Sequence, residues 1–131
     1  MHPCSAAPVS YTHLHRCPEY SVAYTGTHDT PTFLQFLQES PPFTREQAFR
    51  YLRLREDEGL GWGALAGVWS CPSMLAIAPM QDILGLGQDA RMNTPGTISS
   101  SNWSWRVRNE ALNATVAQKL YNLTKTYCRT I

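Results

Sequence analysis

From residue 19 onward, apolar and polar positions fall into short, readable periods. Tyr20-Ser21-Val22-Ala23-Tyr24-Thr25 is β-branched and aromatic and stops at Gly26, as a buried strand does. Thr30-Pro31 then offers a helix cap followed by proline in the first turn. Phe33, Leu34 and Leu37 give that helix one apolar face until Pro41-Pro42 ends it. Thr44 and Gln47 have the spacing of a capping box for a second helix. Ala48, Tyr51 and Leu52, with Phe49, line one side of it, while Arg45, Arg50, Arg53 and Arg55 face water and Gly59 supplies the expected stop. The small-residue stretch 62–70 reads as helical. Met74-Leu75-Ala76-Ile77-Ala78-Pro79 is a continuous apolar run, which predicts a strand covered on both faces with its proline harmlessly at the end. A helical turn over 81–84 and a long irregular segment, 85–102, come next. The last element is a helix over 109–128, with Leu112, Val116, Leu120, Leu123 and Tyr127 forming a core-facing stripe.

Residues 1–18 stand apart. They carry several prolines and histidines without a period, so no helix or strand is expected there. Pro8-Val9-Ser10-Tyr11-Thr12-His13-Leu14 resembles the translation of a sequencing-library adapter, and the segment is therefore read as irregular and not native.

The order of elements is strand, helices, strand, long loop, helix. Buried strands joined through helices imply an α/β fold with parallel strands. Two such strands do not make a stable sheet, and a complete eight-fold barrel needs about 200 residues or more. The 131 residues are accordingly expected to be the terminal portion of a larger α/β unit.

Composition removes several function classes. Eleven basic residues against ten acidic ones, with no basic run, argue against nucleic acid held by counterion release. No apolar run reaches the roughly 18 residues of a membrane span. Four scattered cysteines without a secretory signal read as reduced thiols in a cytoplasmic protein. Cys4, His13, His15 and Cys17 are zinc-type ligands in no finger spacing, so no metal or cofactor is expected. Three glycosylation sequons, at Asn102, Asn113 and Asn122, are read as chance occurrences.

Candidate chemistry gathers where the strands end. His28 and Asp29 follow the first strand, and a carboxylate beside an imidazole there can hold sugar hydroxyls or stabilise positive charge; Asp29 as a plain helix cap explains the pair equally well. Gln81, Asp82, Arg91 and Asn93 follow the second strand and are the amide and charged types that bind hydroxyls, although a turn at Asn93 and a cap at Asp82 account for them too. Gly85 and Gly87 lack the third glycine and the Lys-Ser/Thr of a phosphate loop. Glu46, Glu56, Asp57 and Glu58 lie among arginines and read as a solvated face. Trp69 suits the core; Trp103 and Trp105 stay open between core and sugar stacking.

Four blocks carry a resemblance: Tyr24-Thr25-Gly26-Thr27-His28-Asp29, Ile77-Ala78-Pro79-Met80-Gln81-Asp82-Ile83-Leu84-Gly85-Leu86-Gly87, Ala90-Arg91-Met92-Asn93-Thr94-Pro95-Gly96-Thr97 and Asn102-Trp103-Ser104-Trp105-Arg106. In order and spacing they resemble the C-terminal part of the 4-α-glucanotransferases (amylomaltases, or disproportionating enzymes), retaining enzymes of the α-amylase-like superfamily, over residues 19–129. The resemblance implies the last two β/α units of a TIM (β/α)8 barrel, acting on malto-oligosaccharides and other α-1,4-glucans. By the same resemblance Asp29 is the third catalytic carboxylate, a transition-state stabiliser, and His28 a sugar contact. Asn93 is a glucan contact, with Gln81 and Asp82 as further substrate-binding candidates. The family's nucleophile and acid/base lie on earlier strands, in an N-terminal part of the barrel that this chain would need as a partner, so the chain alone is expected to be inactive. Thr30-Pro31 departs from the Asn-Asp frequent after the His-Asp pair, which alters the helix start and leaves the carboxylate. The competing readings are a non-catalytic glucan-binding module and, more remotely, a helical interaction domain using the stripe from Leu112 to Tyr127.

Overall fold

A computed structural model describes residues 2–5 and 11–130, with side chains from Leu14 onward. Its frame is a three-stranded parallel sheet with β2 (Ser21–Tyr24) between β1 (His2–Ser5) and β3 (Leu75–Ile77). Parallel neighbours need a long crossover. Between β2 and β3 it is made by α1 (Phe33–Glu39), α2 (Pro42–Leu52) and α3 (Leu60–Ser70). After β3 come α4 (Met80–Ile83) and, beyond the long loop, α5 (Ala114–Thr126).

Among the described side chains of β2 and β3, one face of the sheet is buried and the other is not. Side chains alternate along a strand, and in-register neighbours share a face. Val22 pairs with Leu75 and Tyr24 with Ile77. On this face Val22 and Tyr24 are half-buried, while Leu75 and Ile77 are 49% and 53% exposed. Ser21 and Ala23, on the opposite face, are fully buried. The expectation that the run 74–79 is covered on both sides is therefore corrected: Ala76 and Ala78 pack against the core, Met74, Leu75 and Ile77 face outward, and among the described residues β3 is an edge strand.

The core lies on the helical side, around α3. Leu65 and Val68 of that helix are fully buried, with Phe33 and Leu37 of α1 and Ala48 and Leu52 of α2 in the same cluster. Glycine makes the close approach possible. A Cβ on Gly61 would collide with the carbonyl oxygen of Asp82, so α3 touches α4 backbone to backbone. Arg129 binds the far end of α3 from beyond α5, donating to the carbonyls of Trp69, Cys71 and Ser73 at 2.7, 2.6 and 2.9 Å. Its planar fork answers orphan carbonyls that the helix cannot satisfy itself.

Several boundaries differ from the sequence pattern for local reasons. Thr32, not Thr30, caps α1 by accepting from Gln35 N at 3.2 Å, while Thr30 Oγ1 turns back to accept from Thr27 N. Pro41 and Pro42 start α2, so Thr44 falls inside the first turn and no capping box forms. Arg53, in the left-handed region at φ 53°, ends that helix; Gly59, at φ 90°, precedes α3 instead of stopping α2. Asn113 caps α5 by accepting from Val116 N at 3.0 Å, leaving 109–111 as a separate 3-10 turn. Val116, Leu120 and Leu123 reach the core, but Leu112 and Tyr127 are 53% and 38% exposed, so the stripe is shorter than its sequence spacing implies.

The N-terminal segment is also revised. β1 pairs with β2 over four residues, and Tyr11–Arg16 forms a 3-10 helix. Leu14 belongs to the core, and His15 Nδ1 lies 2.8 Å from the Tyr51 hydroxyl. The adapter-like stretch falls partly outside the described residues, at Pro8, Val9 and Ser10. Cys17 is disulfide-bonded, which corrects the expectation of reduced thiols at that position; Cys71 and Cys128 are free. Of the zinc-type residues, the side chains of Cys4 and His13 lie outside those described.

Gly61 and Gly63, both on α3, predict different costs on substitution. Gly61→Ala drives a methyl into the α4 backbone and is expected to lower unfolding free energy by about 1–3 kcal/mol, the range for overpacking. Gly63→Ala meets the movable end of the Leu54 side chain at 2.5 Å. Since alanine also favours a helix by about 1 kcal/mol, this change is expected to be near neutral. Urea denaturation of both variants checks the order.

Candidate active site

The carboxyl ends of β2 and β3 meet at a buried carboxylate. Asp82, 3% exposed in α4, accepts the Thr25 hydroxyl at 2.5 Å and the Phe33 backbone N–H at 2.7 Å. It thereby fastens the residue after β2 and the first turn of α1 to the segment after β3. Burial pushes its pKa above the ordinary carboxylate value, against the two donors, which lower it. Gln81 is buried too and donates to the Ala90 carbonyl at 3.1 Å, holding the start of the next loop. Both residues are turned inward and hydrogen-bonded within the fold, where they also border the small recess below the rim.

Above this support the loops 26–32 and 91–103 converge. Asn93 Nδ2 donates to Asp29 Oδ1 at 2.8 Å, and His28 Nε2 stands 3.3 Å from Asp29 Oδ2. Arg91 links the same loops through backbone carbonyls, donating to Asp29 O and to Asn93 O, each at 2.9 Å. Thus Asp29, His28 and Asn93 form one cluster, and Asp29 does not cap α1. The carboxylate keeps about half its surface open to solvent, and its neighbours are hydrogen-bond donors. Such a group can bind sugar hydroxyls and oppose positive charge on a ring.

Trp103 completes the cluster. Its ring is 55% exposed and lies 5.1 Å from the His28 imidazole at an interplanar angle of 36°. Trp105 instead lines a separate cavity with Leu84, Leu86 and Arg106. The recess beneath the cluster, between Gly26, Pro31, Gln81, Asp82 and Met92, has only about 130 Å³. Ligand pockets generally need about 300–1,000 Å³, so this recess is too small to enclose a ligand of that class. A larger cavity of about 750 Å³ lies between α2, α3 and α5 and shares none of these residues. Glu46 and Asp57 are exposed and paired with Arg50 and Arg55, a solvated face remote from the rim.

A sequence model of the 4-alpha-glucanotransferases matches residues 4–113. The chain belongs to the 4-alpha-glucanotransferase family. Its 4-alpha-glucanotransferase relative from Clostridium butyricum is 41% identical over 116 residues, covering 88% of this chain and 24% of that protein. The chloroplastic/amyloplastic enzyme of Solanum tuberosum is 39% identical over 119 residues, 88% of this chain and 20% of the relative. Among solved structures, the amylomaltase of Streptococcus agalactiae in complex with acarbose superposes with a TM-score of 0.83 and 28% identity, over 93% of this chain and 25% of the other. The chain therefore spans between a fifth and a quarter of the length of these relatives. The family match begins within the segment expected to be irregular.

Family membership leaves two residues that sequence pattern undervalued. Asp82 read as a substrate-binding candidate or an ordinary cap, because nothing in a sequence shows that two distant donors converge on one carboxylate. Trp103 stayed undecided because its exposure depends on a left-handed backbone turn at φ 62°.

Removal of Asp82 should separate its two functions as acceptor. Asp82→Ala strands two buried donors and is expected to cost about 2–4 kcal/mol. Asp82→Asn keeps an oxygen for Phe33 N–H and an amide to which the Thr25 hydroxyl can turn as acceptor, so about 1 kcal/mol is expected. The native state also holds the Asp82 proton more tightly than the unfolded chain. Stability from this group therefore falls as pH rises from the ordinary value near 3.8 through the raised native one. Denaturation curves across pH should show that slope in the parent protein and lose it in Asp82→Asn.

Proposed function

We propose that this chain is the closing part of the (β/α)8 barrel of a 4-alpha-glucanotransferase, which moves α-1,4-glucan segments between acceptors with retention, in the cytoplasm. The observation that carries the reading is the Asn93–Asp29 hydrogen bond, because it joins residues 64 apart on the loops that follow two parallel strands. β1 extends the reading from two strands to three, so residues 2–5 are part of the same barrel wall. The similar amylomaltase was solved in complex with acarbose, which supports a glucan as the ligand class.

Asp29 is assigned as the transition-state stabiliser. As the glycosidic bond breaks, the ring gains oxocarbenium character and its 2-hydroxyl becomes more acidic, so a hydrogen bond to a fixed carboxylate strengthens in the transition state. Asn93 and His28 fix that carboxylate from two sides. His28 and Asn93 also remain as sugar contacts. The retaining reaction further requires a nucleophilic carboxylate and an acid/base about 5 Å away, which are assigned to the preceding part of the barrel. The isolated chain is therefore inactive.

The test joins this chain to the preceding three-quarters of the Clostridium butyricum relative and follows disproportionation of maltotriose. The hybrid is expected to be active and the 131-residue chain alone inactive. Asp29→Asn in the hybrid should lower kcat by about 100-fold or more, as loss of transition-state charge stabilisation does. Near-normal turnover of that variant, or turnover by the chain alone, contradicts the assignment. Maltotriose binding by the chain together with an inactive hybrid favours the glucan-binding module.

A further inference from the structure

We propose that Trp103 is a positioning residue for His28 and, through it, for the carboxylate of Asp29; the inference rests on the glucan-site reading for its purpose. His28 is exposed, and its side chain would ordinarily sample several staggered rotamers. Two contacts restrain it: Asp29 Oδ2 at 3.3 Å from Nε2, and the Trp103 indole against its ring at 5.1 Å. Asn93 already holds the other oxygen of Asp29. A fixed imidazole therefore decides whether the carboxylate is gripped from one side or from two.

The loop is built to hold the indole there. A bulky residue at φ 62° is strained, and such strain persists only where the surroundings impose it. Here Trp103 N–H donates to the Met92 carbonyl at 2.7 Å, and Arg106 donates to the Trp103 carbonyl at 3.0 Å. Asn102 closes the loop, accepting from Thr94 N at 3.1 Å and donating to the Thr97 carbonyl at 3.2 Å. The Met92 and Thr94 contacts flank Asn93 on both sides. One small loop thus places the amide on the first oxygen of Asp29 and the indole behind the imidazole on the second.

The experiment measures the χ1 rotamer populations of His28 by NMR couplings in the 131-residue chain, in Trp103→Phe and in Trp103→Gly. Glycine adopts the left-handed turn without strain, so it removes the ring while keeping the loop. One dominant rotamer is expected in the parent chain and in Trp103→Phe. In Trp103→Gly the populations should spread over the three staggered wells, with at least about a threefold fall in the dominant-to-minor ratio. The amides of Leu65 and Val68 should not move. Unchanged His28 populations in Trp103→Gly overturn the proposal, as does movement of the core amides together with His28 in both variants. Disproportionation of maltotriose by the hybrid is read separately: an inactive hybrid counts against the glucan reading, and the rotamer result still decides the positioning.

Discussion

A single buried carboxylate holds this architecture to its purpose. Asp82 belongs to a helix of one turn, yet it accepts from the end of β2 and the start of α1. Without it the hydrogen bonds that join the two loop systems carrying Asp29 and Asn93 are, among the described residues, exposed ones, which water competes with and which contribute little each. The cost is visible in the carboxyl group itself, whose burial favours the protonated form. Gly61 belongs to the same constraint, since only a residue without Cβ lets α3 press against the Asp82 backbone.

The sheet faces the opposite demand. Helices seal the side of Ser21 and Ala23, while Leu75 and Ile77 remain half-exposed on the other side beside Val22 and Tyr24. Parallel strands are ordinarily covered on both faces. Among the described residues, the face with Leu75 and Ile77 is left uncovered and β1 and β3 are the outer strands of the sheet. At the rim, Asn93 and Arg91 donate to Asp29 and His28 stands beside it, above a recess of about 130 Å³.

Much of this was legible from residue order. Period and punctuation located β2, β3 and the helices, and the four blocks around Thr27-His28-Asp29 and Arg91-Met92-Asn93 pointed to the loops that meet. Details that depend on three-dimensional convergence were not legible. Thr30 and Thr32 are both good caps, and only the path after Pro31 selects the second. Asp82 and Gln81 have the residue types of substrate contacts, and nothing in the sequence shows that both are buried and hydrogen-bonded within the fold. Arg129 reads as a tail residue until α3 ends beside it with three carbonyls in need of donors. β1 has no alternating pattern in sequence, because its pairing comes from the neighbouring strand and not from its own periodicity.

The most direct measurement is amide hydrogen exchange at Phe33 combined with the side-chain amide shift of Asn93, before and after Asp82→Ala. The account predicts that the Phe33 amide loses protection and that the Asn93 amide moves toward its solvent-exposed position, while the Leu65 amide stays protected. An Asn93 amide that keeps its place after Asp82 is gone would show that the rim assembles by itself, contrary to the dependence argued for it.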